Sequence, residues 1–302
     1  MKTNKTLAAI DLGSHSFHLI VVKQRHGDFL TLCKERQPIR LAAHLNEQGV
    51  LSPEGQQLAL ACLANFRQTL QQYDCAQAAA VGTASFRRLK EPVSFCAYAS
   101  ETLGLPITVL SGEEEAKYIY GGVCYALGKK DKVPRLVIDI GGGSTEVILG
   151  VGTECQYVKS FPIGCVVLQK KYYPAGVLSP KAITDMQAYL AHVFEEEKST
   201  FKQLRWQACF ASSGTAQTLQ LLQSSDVAAP LQRQFAEQVL FKLSQSPLTQ
   251  LSDLAGIKSD RQLIFPAGLV ILTTLLALLK VSSFYVSQAA LREGILAHLA
   301  RQ

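Results

Sequence analysis

Residues 136–149 read Leu-Val-Ile-Asp-Ile-Gly-Gly-Gly-Ser-Thr-Glu-Val-Ile-Leu, and this stretch decides how the rest of the chain is interpreted. An apolar run, a glycine-rich centre and a second apolar run predict a strand, a tight turn and a strand. Because glycine carries no Cβ, the backbone N–H groups of this turn can approach an anion closely. The pattern is typical of a phosphate-binding hairpin, and a plain hairpin with a glycine-rich turn fits it as well. The candidate phosphate-binding residues of the turn are Gly141, Gly142, Gly143, Ser144 and Thr145.

A second copy of the pattern occupies residues 10–20, Ile-Asp-Leu-Gly-Ser-His-Ser-Phe-His-Leu-Ile, and aligns on the first at a constant offset. The aligned pairs include Asp11 with Asp139, Gly13 with Gly141, and Ser16 with Ser144. A repeat of this kind indicates two related halves, each opening with a hairpin whose turn binds phosphate. If the two turns face each other, they hold a phosphate chain between two domains.

Carboxylates flank the turns. Asp139 ends the strand before the glycines and Glu146 begins the strand after them, so both can reach a cation that accompanies the phosphate. Asp11 takes the place of Asp139 in the first copy. We therefore predict that Asp11, Asp139 and Glu146 bind a metal ion.

Composition favours a compact soluble protein. The 302 residues suffice for two domains, and 48% of them are apolar. The net charge of +6 is compatible with nucleic acid, anionic lipid or polyphosphate as a partner and does not choose among them. The eight cysteines form no C-x-x-C pair and no zinc-spaced cluster, and the N-terminus lacks a signal-peptide pattern, so we expect a reducing, cytoplasmic location. The uncharged stretch 262–279 is predicted to be a buried helix in preference to a membrane span.

The order of predicted elements is typical of a mixed α/β fold with a central sheet. Three hairpin strands precede a helix from Pro53 to Tyr73, and the second half, after its own hairpin, includes a helix from Ser179 to about Lys202. The polar, Pro-terminated stretch 128–134 marks a domain boundary. We therefore predict domains at 1–127 and 128–302, and leave open that the last helix packs back on the first domain.

Candidate catalytic residues lie outside the turns. Three carboxylates, Glu113 to Glu115, open a predicted helix, where the helix dipole accounts for one or two of them. Beside a phosphate site, one can act as a general base. Arg87 follows a buried strand and suits phosphoryl oxygens, because its guanidinium presents a fork of donors. A third anion site is predicted at Ser213 and Gly214, where a strand runs into a helix.

Six motifs together resemble one known family. They are Ala-Ile-Asp-Leu-Gly-Ser-His-Ser-Phe-His-Leu at 9–19, Gly-Thr-Ala-Ser-Phe-Arg at 82–87, Ser-Gly-Glu-Glu-Glu-Ala at 111–116, Val-Ile-Asp-Ile-Gly-Gly-Gly-Ser-Thr-Glu at 137–146, Ala-Ser-Ser-Gly-Thr at 211–215, and Ala-Leu-Arg-Glu-Gly-Ile-Leu at 290–296. In this order they resemble the exopolyphosphatase and guanosine pentaphosphate phosphatase family, Ppx/GppA, over nearly the whole chain.

The resemblance implies the fold shared by actin and the sugar kinases: two ribonuclease-H-like α/β domains with the active site in the cleft between them. It also implies Mg²⁺-dependent release of a terminal phosphate, with Glu115 activating water and Asp139 and Glu146 holding the metal or orienting the water. Arg87 would bind phosphate. The turns would supply backbone amides from Gly13, Ser14, His15, Ser16 and the glycines at 141–143.

The chain departs from the family pattern in two places: His15 stands where the family usually has Asn, and Leu89 and Glu91 replace Ala and Asn. Because the chain ends soon after residue 296, without the extra helical domains of longer members, we expect short polyphosphate to be a better substrate than long chains. Guanosine pentaphosphate is the alternative substrate. We expect no nucleic-acid or membrane partner, and a homodimer is the oligomer to test for.

Two functions of other classes stay open at this point. A kinase of the same superfamily would pass phosphate from ATP to an alcohol, whereas phosphate release without any acceptor indicates a hydrolase. A nucleotide-binding switch or scaffold would bind ligand tightly in magnesium without turnover.

Overall fold

A computed structural model describes residues 5–25, 28–128, 132–223, 228–245, 257 and 259–302. These residues belong to two compact units. The first runs to Leu127 and also contains Ala289–Gln302, and the second is Gly128–Gln288. The C-terminal segment from Ala289 thus belongs to the first unit.

The first unit is built on a five-stranded sheet with strand order β3-β2-β1-β4-β5. Strands β1, β2 and β3 are antiparallel neighbours, and β4 and β5 continue parallel to β1. Its elements are β1 (Thr6–Leu12), β2 (Phe17–Arg25), β3 (Asp28–Gln37), α1 (Pro53–Gln72), β4 (Gln77–Gly82), α2 (Ala84–Arg87), α3 (Pro92–Leu103), β5 (Ile107–Val109), α4 (Gly112–Leu127) and, from the C-terminus, α12 (Leu291–Leu299).

Strand β1, at the centre of this sheet, is buried on both faces. Alternate residues of β1, including Ile10 and Leu12, join a core cluster with α1 and α3, while α12 packs on the other side of the layer against β1 and α4. A strand that is covered on both faces needs apolar side chains at every position rather than at alternate ones. This explains the unbroken apolar run Leu7–Ile10.

The second unit repeats this plan. Its sheet has the strand order β8-β7-β6-β9-β11-β10, in which β6, β7 and β8 are antiparallel neighbours and β9 and β11 run parallel to β6. Its elements are β6 (Pro134–Ile140), β7 (Thr145–Val151), β8 (Glu154–Phe161), α5 (Cys165–Tyr172), α6 (Pro180–Val193), α7 (Lys198–Gln203), β9 (Ala208–Ser212), α8 (Ser213–Gln223), β10 (Leu231–Gln232), α9 (Arg233–Gln245), α10 (Ser259–Gln262), α11 (Phe265–Leu278) and β11 (Ser283–Val286).

The repeat extends to the register of the hairpins. Asp11 lies opposite His18 in the first hairpin, and Asp139 lies opposite Glu146 in the second, with each pair displaced by the same 128 positions. The pairing with the next strand also has an irregularity in each unit, between Val21 and Val22 where β2 pairs with β3 and, at the same offset, between Leu149 and Gly150 where β7 pairs with β8. The two units therefore share details of backbone geometry, as the aligned sequences predict.

The predicted helix from Ser179 to about Lys202 is wrong, because the structure divides it into α6 and α7, joined by a 3-10 turn at Glu195–Glu197. Phe194 is fully buried at the break, with its ring edge-on to Phe161 at 4.8 Å. The carboxylate of Glu197 accepts a hydrogen bond from Tyr157 at 2.9 Å. Tertiary contacts with β8 thus redirect a segment whose own sequence favours a continuous helix.

The stretch 262–279, predicted as a buried helix, contributes α11, most of whose residues are buried in the core of the second unit. In the described part of the chain, no helix combines the length and apolar character needed to cross a membrane. All eight cysteines are free thiols.

Helices α4 and α12 cross at two glycines. A Cβ on Gly122 would lie 1.9 Å from the carbonyl oxygen of Ala290, and a Cβ on Gly294 would lie 1.8 Å from that of Tyr118. Neither helix can keep this contact with a larger residue, because the obstructing atoms belong to the backbone.

We expect Gly122→Ala to lower the free energy of unfolding by about 1–3 kcal/mol, since the added methyl group forces α12 away from α4. Gly121→Ala is the matched control: its Cβ meets nothing closer than 4.0 Å, and alanine favours a helix by about 0.4–1 kcal/mol. Urea unfolding of the two variants should shift in opposite directions. Equal midpoints would contradict the proposed close packing.

Candidate active site

The glycine turn of the second unit is held from one side by the start of α5. The backbone N–H of Cys165 donates to the carbonyl of Gly141, and the N–H of Val166 donates to that of Gly142, both at 3.0 Å. Gly164 allows this approach, because a Cβ there would lie 2.4 Å from the Gly142 carbonyl group. The turn carbonyls are therefore fixed by hydrogen bonds to a helix.

This arrangement determines where the amides of the turn point. In a planar trans peptide the C=O and the following N–H point in opposite directions. With the carbonyls of Gly141 and Gly142 directed at α5, the N–H groups of Gly142 and Gly143 are directed away from it. Among the described residues these two amides, and that of Ser144, donate to no acceptor. They form a concave set of donors suited to an anion.

The turn of the first unit is held in the same way by different residues. The N–H of Arg40 donates to the carbonyl of His15 at 2.7 Å, and the N–H of Ala42 donates to that of Ser14 at 3.0 Å. The N–H groups of His15 and Ser16 consequently point away from residues 40–42. Gly13 is needed for the turn, because a Cβ there would lie 2.9 Å from the Ser16 carbonyl oxygen.

The hydroxyls of the two turns have different surroundings. Ser14 and Ser16 are buried, and within the described residues their hydroxyl oxygens have no hydrogen-bond partner. Thr145, by contrast, donates to the carbonyl of Ile163 at 2.8 Å. Its hydroxyl thus ties the start of β7 to the segment before α5, and phosphate binding by this side chain remains a prediction.

Glu115 and Arg87 are brought together in the first unit. A guanidinium nitrogen of Arg87 lies 2.7 Å from the Glu115 carboxylate and also donates to the carbonyl of Leu110 at 2.9 Å. Glu115 is buried, whereas Arg87 is about a quarter exposed. The arginine therefore orients the carboxylate and retains surface for a ligand.

The neighbouring carboxylates have another role. Glu114 accepts a hydrogen bond from the N–H of Ser111 at 2.8 Å, and the Ser111 hydroxyl accepts one from the N–H of Glu114 at 3.2 Å. This reciprocal pair is a capping box at the start of α4. Hydrogen bonds from Ser111 lower the pKa of Glu114. Of the three acidic residues, only Glu115 is buried, since Glu113 and Glu114 are exposed.

Asp139 is buried at the end of β6 beside two serines of β9 and α8. The hydroxyl of Ser212 donates to one carboxylate oxygen and that of Ser213 donates to the other, the latter at 3.1 Å. Burial raises the pKa of Asp139, and the two hydroxyls partly oppose this shift. Ser213 has a φ of 73°, which is a strained conformation for a residue other than glycine. Its hydroxyl orients Asp139, so direct phosphate binding by Ser213 remains a prediction.

Asp139 and Glu146 form part of a polar row across the sheet. Ser212, Asp139, Glu146 and Ser160 are direct neighbours on successive strands, so their side chains share one face. Ser160 donates to Glu146 at 2.8 Å, and Glu146 is fully buried. Two buried carboxylates therefore lie side by side, and a cation placed between them would lower their mutual repulsion.

The carboxylate pair fits a hard divalent cation. Mg²⁺ binds through one or two protein carboxylates and completes its shell with water and substrate phosphate. Among the described residues, no group of three or more His, Cys, Asp or Glu side chains is arranged to hold a metal. Asp139 and Glu146, as neighbours on paired strands, are the better candidates for metal ligands. Metal binding by Asp11 also remains a prediction.

The structure places three residues next to the candidate site that the sequence analysis does not name as site residues. Ser212 and Ser160 contact the carboxylates through strand pairing, which a motif does not report. Arg261 of α10 packs on Gly214: a Cβ on this glycine would lie 2.1 Å from the guanidinium. Phosphate binding by Gly214 remains a prediction, and the absence of a Cβ at this residue lets the Arg261 side chain pack against it.

The chain matches one protein family over most of its length. The model of the Ppx/GppA phosphatase family matches residues 20–302. The chain belongs to the Ppx/GppA family. Two curated relatives are named guanosine-5′-triphosphate,3′-diphosphate pyrophosphatase: one from Aliivibrio fischeri is 38% identical over 295 residues, and one from Photobacterium profundum is 36% identical over 291. In both cases the match covers 95% of this chain and 58% of the relative, so the chain spans little more than half their length.

Solved structures of Ppx/GppA proteins confirm the predicted fold class. An exopolyphosphatase from Cytophaga hutchinsonii has a TM-score of 0.89, and a family member from Aquifex aeolicus has one of 0.81. Each is 23% identical, and each match covers 98% of both chains. This Ppx/GppA chain therefore has the α/β fold of the actin-like class, with two sheets of related topology.

The cation site predicted at Asp139 and Glu146 of this Ppx/GppA protein can be tested by metal binding. We expect Mg²⁺ to raise the melting temperature of metal-free protein by binding the folded state, which at 100-fold excess over Kd corresponds to roughly 2.7 kcal/mol. Asp139→Asn should lose most of this rise, because the amide offers one neutral oxygen in place of a carboxylate.

Asp185→Asn is the control, since it removes the same charge from an exposed ion pair with Lys181 in the same unit. Differential scanning fluorimetry with EDTA and with Mg²⁺ measures the effect. A full Mg²⁺ response in Asp139→Asn would exclude Asp139 from the cation site.

Proposed function

We propose that the chain hydrolyses the terminal phosphoanhydride bond of inorganic polyphosphate and releases orthophosphate. The turn at 141–143 carries this proposal, because its outward amides match the acceptor oxygens of a phosphate chain. Buried carboxylates beside the turn and the Arg87–Glu115 pair are further parts that phosphoryl transfer requires.

In this proposal each residue has a role that its contacts support. Glu115 accepts the proton of the attacking water, and Arg87, at 2.7 Å, favours the ionised carboxylate that can do so. The exposed part of Arg87 binds phosphoryl oxygens. The amides of the turn at 141–143 hold further oxygens in fixed positions, which lowers the cost of reaching the transition state.

A divalent cation, which we take to be Mg²⁺, would be held by Asp139 and Glu146. When bound, it neutralises charge that accumulates on phosphate oxygens. Ser212, Ser213 and Ser160 keep both carboxylates oriented.

Guanosine pentaphosphate is the second candidate substrate. The names of the relatives at 38% and 36% identity favour it, whereas the exopolyphosphatase from Cytophaga hutchinsonii shares only the fold at 23% identity. Both substrates end in a phosphoanhydride, so the site described above serves either.

Phosphate release from tripolyphosphate, long-chain polyphosphate and guanosine pentaphosphate, each with Mg²⁺ and no acceptor alcohol, tests the proposal. We expect release from at least one of them, and the highest kcat/KM identifies the substrate. Release that requires an acceptor would indicate a kinase, and tight binding without release would indicate a binding protein.

Glu115→Gln should lower kcat by about 10²–10⁴-fold with little change in KM, because the amide cannot accept the proton of water. Glu114→Gln makes the same charge change one residue away, in the exposed capping box, and should retain kcat. Steady-state phosphate release measures both variants. A Glu115→Gln enzyme with normal kcat would remove Glu115 from the role of base.

A further inference from the structure

Ser85 of α2 has a buried hydroxyl that the site described so far does not use. The residue is 1% exposed, and within the described part of the chain its hydroxyl oxygen has no hydrogen-bond partner. A buried hydroxyl without a partner costs free energy, so native proteins retain few of them, and each calls for an explanation. A ligand that binds there would remove the penalty.

The position of α2 connects Ser85 with the first turn. Strands β1 and β4 are parallel neighbours whose last residues, Leu12 and Gly82, lie side by side. The N–H of Thr83 also donates to the carbonyl of Leu12, at 3.4 Å. The turn at 13–16 and helix α2 therefore begin at the same edge of the sheet, which is the edge where α/β proteins bind ligands.

The neighbours of Ser85 on α2 show which way it points. Phe86 packs on Phe17 in the core, with ring centroids 6.3 Å apart. Arg87 reaches Leu110, directly after β5, on the side of β4 opposite to β1. Ser85 precedes Arg87 by two residues, which is about 200° around a helix. It therefore points away from β5 and towards the β1 side, where the turn lies.

Ser14 and Ser16 in that turn share the unusual state of Ser85, with buried hydroxyls that have no partner among the described residues. Three such hydroxyls at one edge of a sheet amount to three donors without an acceptor. Phosphoryl oxygens carry lone pairs and negative charge, and so they complement donors of this kind.

We propose that Ser85 donates a hydrogen bond to a phosphoryl oxygen of the substrate, beside Ser14 and Ser16. The inference rests on the proposed function and extends its site to a residue that the sequence analysis leaves out.

Replacing a ligand-binding serine by alanine is expected to raise the melting temperature of the free protein, whereas replacing a structural serine lowers it. If Ser85 serves the ligand, Ser85→Ala removes an unpaired buried hydroxyl and raises the melting temperature of the free protein by up to about 3 °C. The same change raises KM for tripolyphosphate about 3- to 10-fold, which is the range expected for one lost hydrogen bond.

Ser52→Ala in the same unit is the matched control. The Ser52 hydroxyl caps α1 by accepting the N–H of Gly55 at 3.1 Å, so its loss should lower the melting temperature and leave KM unchanged. Melting is measured by fluorimetry with and without inorganic phosphate, and KM by phosphate release. A Ser85→Ala protein with a lower melting temperature and an unchanged KM would overturn the inference.

The melting measurement with inorganic phosphate tests this inference separately from the proposed function. If wild-type protein releases phosphate from none of the substrates, the proposed function fails, but the thermal rise with inorganic phosphate still tests Ser85. A smaller rise in Ser85→Ala than in wild type supports the inference, and an equal rise contradicts it. Ser85→Cys carries a thiol, which is a weak donor. Its thermal rise with inorganic phosphate should lie between those of wild type and Ser85→Ala.

Discussion

The candidate site depends on one constraint. In each unit, the carbonyl groups of the glycine turn accept hydrogen bonds from backbone amides elsewhere in the same unit. In the second unit those amides belong to the first residues of α5, and in the first unit they belong to Arg40 and Ala42. Because a peptide group is planar, fixing its C=O also fixes the N–H of the next residue. The glycines permit this close approach, and the supporting segments determine its direction. The amide donors of each turn are thus oriented by the fold itself, which is what transition-state stabilisation by backbone donors requires.

In the second unit, two buried carboxylates lie beside the glycine turn. Asp139 and Glu146 lie next to each other on paired strands, and serine hydroxyls donate hydrogen bonds to both carboxylates. Burial of a carboxylate costs free energy that a bound cation would offset, and the left-handed φ of Ser213 adds backbone strain at the same point. The corresponding hairpin of the first unit carries His18 opposite Asp11, with Nδ1 of the histidine 3.3 Å from Arg292. Two units of one topology therefore differ in charge at matched positions.

The sequence predicts those features that depend on local pattern. The constant offset between the two hairpins predicts the repeated register, and the Ser52–Pro53 pair predicts where α1 begins. Features set by distant contacts could not be predicted. Ser212 contacts Asp139 from 73 residues away, through a parallel strand pairing that no motif encodes. The break after α6 depends on burial of Phe194 against Phe161, and Arg261 comes next to Gly214 only in the folded unit.

The most direct test of the account is the response of the turn amides to ligand. In ¹H–¹⁵N spectra of the Glu115→Gln variant, addition of tripolyphosphate and Mg²⁺ should move the amide protons of Gly142 and Gly143 downfield, since both gain a charged acceptor. The amide of Gly104, which donates to Ser100 at 2.8 Å at the end of α3, should not move. Ligand binding that leaves the Gly142 and Gly143 signals in place would contradict the claim that these amides hold the phosphate.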